Sequence, residues 1–142
     1  MEENNEKKHK ILVIDDDLAV CQLTSRFLST NNTYHPQEHH VEGQFNPDEL
    51  AKKYAHCFDV LVIDFEMPSC NGITLAETFR KIPNNTIKGY ILHTARARSG
   101  PNTNGLYTID EKEIPIYLNY LQKPYHINQL LSLVEKILCE NK

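Results

Sequence analysis

Four apolar runs along the chain stop abruptly at charged or hydroxyl side chains. Ile11-Leu12-Val13-Ile14 ends at Asp15-Asp16-Asp17, and Val60-Leu61-Val62-Ile63 ends at Asp64. Gly89-Tyr90-Ile91-Leu92-His93 ends at Thr94, and a run over 116–122 ends at Lys123-Pro124. Short continuous runs rich in β-branched residues predict strands buried on both faces, the kind a parallel sheet uses. A polar edge strand is expected over 37–41. Between the strands, Val20, Leu23, Thr24, Phe27 and Leu28 recur with a period near 3.6 and predict a helix over 18–29 with that stripe inward. Asn46-Pro47 is a helix start, with the amide as cap, the proline at the first helical position and Asp48 and Glu49 in the first turn, running to about residue 56. Two more helices are expected over 72–82, with Leu75, Phe79 and Ile82 inward, and over 127–139, with Ile127, Leu130, Val134 and Leu138 inward. Strand and helix alternate, so the class is α/β, with a doubly wound parallel sheet and right-handed crossovers.

One region breaks the rhythm. Residues 95–113 contain Gly100, Pro101 and Gly105, and their large apolar residues, Leu106, Tyr107 and Ile109, cluster rather than recur. An interior proline costs a helix about 3 kcal/mol and each glycine about 1. No amphipathic stripe is present to offset that through packing. The pattern predicts a short or missing fourth helix, replaced largely by a mobile loop.

Composition narrows the class. The 142 residues are 40% apolar and 24% charged, with a formal charge of -4, which suits one globular domain and carries no basic footprint for nucleic acid. No apolar run approaches the about 20 residues that span a bilayer, and the first ten residues lack the apolar stretch of a secretory signal, so a cytoplasmic location is expected. Residues 1–9 read as a polar tail ahead of a domain over 10–142. The four cysteines form no Cys-x-x-Cys pair and read as free thiols.

The strand ends carry the chemistry: Asp15 and Asp16, Asp64, Thr94 and Lys123. In a doubly wound sheet of order 2-1-3-4-5 these ends share one edge, and strands 1 and 3 sit side by side at the switch point where ligands bind. Three converging carboxylates repel and raise one another's pKa unless a cation intervenes. Magnesium suits such a site, as a hard ion content with one or two carboxylates plus water and phosphate oxygens. Lys123 and Thr94 supply a point charge and a hydroxyl for a phosphoryl group, and Asp64 is the candidate nucleophile for an aspartyl phosphate.

With those residues in view, the chain resembles the response-regulator receiver domains of two-component signalling. The resemblance rests on Ile-Leu-Val-Ile-Asp-Asp-Asp at 11–17, Val-Ile-Asp-Phe-Glu-Met-Pro at 62–68, Gly72, Thr94-Ala95, Tyr120 and Lys123-Pro124, and covers about 10–140. It implies a flavodoxin-like fold and a role for each matching residue. Asp64 matches the phosphoacceptor, Asp16 the direct metal ligand, and Asp15 the carboxylate that holds a metal-bound water. The backbone carbonyl of Glu66 matches the third protein ligand. Thr94 matches the hydroxyl that turns toward the phosphoryl group, and Tyr120 the aromatic that follows it. Lys123 matches the pairing lysine, usually ahead of a cis proline peptide, here Pro124. The implied cofactor is Mg2+, with Mn2+ as a substitute. The implied partners are a histidine kinase or histidine phosphotransfer protein and a downstream protein target, with a homodimer as a further assembly. Nucleic acid and membrane are not among them.

Asp17 has no role to carry over and reads as a helix cap. Glu66 and Arg96 flank the approach to Asp64 with opposite charges and are expected to pair as a gate on dephosphorylation. Nineteen residues follow Lys123, enough for one helix, so a stand-alone switch is the expectation. Two other readings compete. A haloacid-dehalogenase-like phosphohydrolase would use Asp15 as nucleophile and Asp17 as acid-base. A receiver-shaped binding module would never be phosphorylated, and such modules usually lose the acidic residues or the lysine that this chain keeps.

Overall fold

The computed structural model describes residues 8–140. Its elements are β1 (His9–Asp15), α1 (Leu18–Leu28), β2 (Tyr34–His40), α2 (Pro47–Tyr54), β3 (Val60–Asp64), α3 (Gly72–Arg80), β4 (Gly89–Thr94), β5 (Thr108–Ile109), β6 (Lys112–Glu113), β7 (Leu118–Gln122) and α4 (Ile127–Glu140). Five strands form one sheet in the order β2-β1-β3-β4-β7, with every neighbouring pair parallel. Counting only those five, this is the expected order 2-1-3-4-5, and the fold is the flavodoxin-like doubly wound one.

The strands read as apolar runs because both faces are covered. Leu12, Ile14, Leu61, Ile63 and Leu92 turn to the layer of α2 and α3, where Leu75, Ala76 and Phe79 meet them. Ile11, Val13, Val60, Val62 and Ile91 turn the other way, against Leu28, Leu130, Val134 and Ile137. Side chains alternate because successive Cβ atoms point to opposite faces of a strand.

Several boundaries and faces differ from expectation. β1 starts at His9, and Lys8 Nζ donates to the Asn32 carbonyl, so the expected tail gives its last two residues to the fold; residues 1–7 lie outside the described ones. β2 begins at Tyr34 and runs to His40, earlier than the 37–41 expected, because its backbone pairs with all of β1 despite polar side chains. In α1 the buried positions are Cys21, Thr24, Ser25 and Leu28, while Leu23 is 48% exposed. The large residues misled the reading. Thr24 and Leu28 of the expected stripe are buried, and the small side chains of Cys21 and Ser25 complete it in place of Leu23. Ile116, expected in the last strand, is 93% exposed, because the chain turns at Pro115 and β7 starts only at Leu118.

No helix lies between β4 and β7 among the described residues. The expected loose loop is instead a hydrogen-bonded structure. Ser99 bridges Thr108, and β5 and β6 form a two-stranded hairpin. Asp110 and Glu111 turn it with φ of 51° and 68°, the left-handed conformation that tight hairpin turns require. The Asn102 side chain accepts from the N–H groups of Asn104 and Leu106, and the Asn102 and Asn104 amides both donate to Glu113. Ile109 and Ile114 are buried in the α2–α3 side of the core. The glycines and proline rule out a helix, but asparagine-centred turns and two buried isoleucines hold the segment in place.

Candidate functional site

Because β1 and β3 are adjacent and both end in a carboxylate, Asp15 and Asp64 face each other across the sheet edge. Asp16 follows, exposed. One carboxylate oxygen from each of the three lies within 4.8 Å of the others. The loop after β3 stays tight because α3 starts against it: Gly72 N–H donates to the Phe65 carbonyl, and Asn71 caps the helix. A Cβ on Gly72 would sit 2.4 Å from the Asp64 carbonyl oxygen, so the approach excludes any side chain. Asp17 caps α1 through Ala19 and Val20, as expected.

Lys123 arrives from β7 through a cis peptide bond to Pro124, the isomer the resemblance implied. Its Nζ stands 3.1 Å from Asp15 Oδ2 and 3.3 Å from Asp64 Oδ1. Asp15 Oδ1 accepts the Asp17 N–H at 2.9 Å. Both oxygens of Asp15 are therefore held by the protein, which suits an orienting carboxylate and not a nucleophile. Of the Asp64 oxygens, Oδ1 is the one that accepts from Lys123. Thr94, on β4, is buried, and its hydroxyl accepts the Arg96 N–H at 3.1 Å.

Burial pushes the Asp64 carboxyl up to about 7, with the charge of Asp15 adding to it and Lys123 opposing. Asp15 is held below the usual carboxylate range: burial works upward, but His93, the Asp17 N–H and Lys123 outweigh it. Asp16 is raised by burial and by Asp15. Burial alone would lower Lys123, yet Asp64 and Asp15 raise it overall. Three carboxylates against one ammonium leave a surplus of negative charge converging on one point. All-oxygen donors at that point fit a hard divalent cation.

Glu66 and Arg96, expected to pair, do meet. Arg96 Nη2 pairs with Glu66 Oε2 at 2.5 Å, and Nη1 reaches Asp110 Oδ2 at 2.7 Å. The Tyr120 hydroxyl donates to the Arg96 carbonyl, and the Arg98 guanidinium lies 4.8 Å from the Tyr120 ring centre. Sequence reasoning missed Asp110, whose part depends on the hairpin turn. It also missed His93, fully buried beside Asp15. The signal for His93 was there: a lone imidazole at the end of an otherwise apolar buried run.

A sheet-edge acidic pocket closed by a lysine, on this fold, defines the receiver class. The family model for the response regulator receiver domain matches residues 11–135, and the chain belongs to that family of signalling domains. Among curated proteins, the response regulator ArlR of Staphylococcus aureus is 29% identical over 131 residues, covering 91% of this chain and 52% of its own. The chain thus spans about half the length of the curated relatives it matches. The Francisella response regulator 1452 receiver domain is similar over 95% of this chain and all of its own, with TM-score 0.63 and 26% identity. A chain in the complex of the histidine kinase ThkA with the response regulator protein TrrA is similar over 92% of this chain and 98% of its own, with TM-score 0.64 and 24% identity. The haloacid-dehalogenase-like reading gains nothing from these matches, and its nucleophile would be Asp15, whose oxygens are both engaged.

No described helix is long and apolar enough to cross a membrane.

Proposed function

We propose that this domain is a phosphorylatable switch that accepts a phosphoryl group on Asp64. The observation that carries the reading is the Lys123 ammonium shared between Asp15 and Asp64 at the mouth of an acidic cluster. An oxygen of Asp64 attacks the phosphorus of a phosphohistidine, the P–N bond breaks, and the imidazole leaves with its electron pair. Asp16, Asp64 and the Glu66 carbonyl would bind Mg2+ directly and Asp15 through water, and the bound ion would neutralise charge on the transferring group. Mn2+ fits the same donors. Lys123 turns from the carboxylates to the new phosphoryl oxygens. Thr94 releases the Arg96 N–H and donates to the same group, and Tyr120 follows through its bond to the Arg96 carbonyl.

The donor in this reading is a histidine kinase or histidine phosphotransfer protein; ThkA and TrrA form such a kinase–regulator complex. A downstream protein reads the changed surface, a homodimer is one form that surface takes, and the site of action is the cytoplasm. The Glu66–Arg96 pair lies over the path of water and slows hydrolysis of the acyl phosphate.

The test is intact mass after incubation with acetyl phosphate and Mg2+. Wild type gains one phosphoryl group, Asp64→Asn gains none, and chelation of the metal prevents the gain. Equal labelling of Asp64→Asn would overturn the assignment. No labelling at all would leave a receiver-shaped binding module.

A further inference from the structure

His93 has no part in the steps above, yet it touches the site. It sits on β4 in register with Asp64 on β3 and Leu121 on β7. The side chain is completely buried, between Asp15 and the Tyr125 ring, whose centre is 6.4 Å away. Its Nε2 lies 3.3 Å from Asp15 Oδ2, but off the line of the ring N–H, so neither ring nitrogen has an aligned hydrogen-bond partner among the described residues. An unpaired polar group in a dry interior carries a desolvation cost that an aliphatic side chain would not. A neutral imidazole has one N–H to donate.

The oxygen that His93 approaches is already served. Asp15 Oδ2 accepts from Lys123 Nζ at 3.1 Å, closer than the imidazole. Lys123 is also the group with the most reason to leave, because a phosphoryl group on Asp64 offers it a denser negative charge at short range. Its departure would strip Asp15 Oδ2, buried and ionised, of its donor. His93 is the side chain already within reach of that oxygen.

We propose that His93 is a positioning residue that takes over Asp15 Oδ2 when Lys123 swings to the phosphoryl group. The exchange gives the imidazole an aligned partner, replaces the ammonium donor on Asp15 Oδ2 with a protein N–H, and thereby favours the phosphorylated state over the resting one. The proposal rests on Asp64 being the phosphoacceptor.

The test separates the two. Wild type is first treated with acetyl phosphate and Mg2+; absence of a mass gain would remove the Asp64 reading and this proposal together. With labelling established, beryllium fluoride with Mg2+ serves as the acyl-phosphate analogue, and its affinity is compared for wild type, His93→Leu and His93→Gln. The leucine variant should bind the analogue about 3- to 10-fold more weakly, the effect of one hydrogen bond, with Mg2+ affinity in the absence of the analogue little changed. Glutamine, which keeps a donor, should recover part of the loss. A second readout needs no variant: in the nitrogen NMR spectrum of wild-type imidazole, the His93 Nε2 proton should become hydrogen-bonded and slow to exchange when the analogue binds. Unchanged analogue affinity in the leucine variant, or a His93 resonance indifferent to the analogue in wild type, would overturn the exchange while leaving the phosphoacceptor in place.

Discussion

The acidic pocket and the segment between β4 and β7 meet at Arg96, and they are built on opposite principles. The pocket is a product of the sheet. Its carboxylates, hydroxyl and lysine project from strand ends whose register is fixed by apolar side chains buried on both faces. The segment from Ala95 to Tyr117 has no such frame. It is held by asparagine turns, two non-glycine residues in left-handed conformation and two isoleucines that plug into the core. One region tolerates almost no change of geometry and great tension of charge. The other has modest charge and a backbone defined locally. A receiver can thus keep its reaction centre while the element beside it is rebuilt.

That contrast can be broken most directly at the two places where backbone meets core. Gly72→Ala should cost about 2–4 kcal/mol, because the added methyl collides with the Asp64 carbonyl and Leu92; urea unfolding measures it. Ile109→Ala should cost a comparable 2–4 kcal/mol, since Ile109 is 1% exposed. A loss well under 1 kcal/mol at Ile109 would mean the hairpin is loosely seated, and the comparison would fail on that side.

A smaller effect, of opposite sign, is expected inside the pocket. Asp64→Asn should stabilise the metal-free protein by about 1–3 kcal/mol near neutral pH, because it removes a carboxylate that burial and Asp15 push up to about 7. Mg2+ should raise the thermal midpoint of wild type and leave that of the variant nearly unmoved. A destabilised variant would show that Lys123 already balances the cluster. At the hairpin tip, Glu111→Gly should gain about 0.5–1 kcal/mol by relieving a side chain at φ of 68°. The smallest change in stability is expected for the Glu66→Ala, Arg96→Ala double variant, whose side chains are about half exposed. Its thermal midpoint should not shift, while its acyl phosphate should hydrolyse faster; unchanged hydrolysis would remove the gate.

The sequence made the pocket legible for a physical reason. Strands covered on both faces must be apolar throughout, so the residue at which each run stops marks the sheet edge, and Asp15, Asp64, Thr94 and Lys123 could be set there without knowing the fold in detail. Side-chain volume was a poorer guide. In α1 it picked Leu23, while beside the expected Thr24 and Leu28 the helix buries Cys21 and Ser25. The hairpin was hidden because its order comes from side chains accepting backbone N–H groups, such as Asn102, and that leaves no periodicity. His93 and Asp110 belong to the site only through neighbours 78 and 14 residues away, Asp15 and Arg96.

Arg96 joins Glu66 at the rim of the pocket to Asp110 at the hairpin turn. All three side chains reach into solvent, so dissolved salt competes for every bond in that bridge. Exposed ion pairs of this kind contribute only about 0–1 kcal/mol and weaken as salt rises. The part-buried contacts of Lys123 are less open to that competition than those of Arg96. The lifetime of the acyl phosphate should therefore shorten as the medium becomes more saline, giving the domain a sensitivity to ionic strength that resides in a single guanidinium.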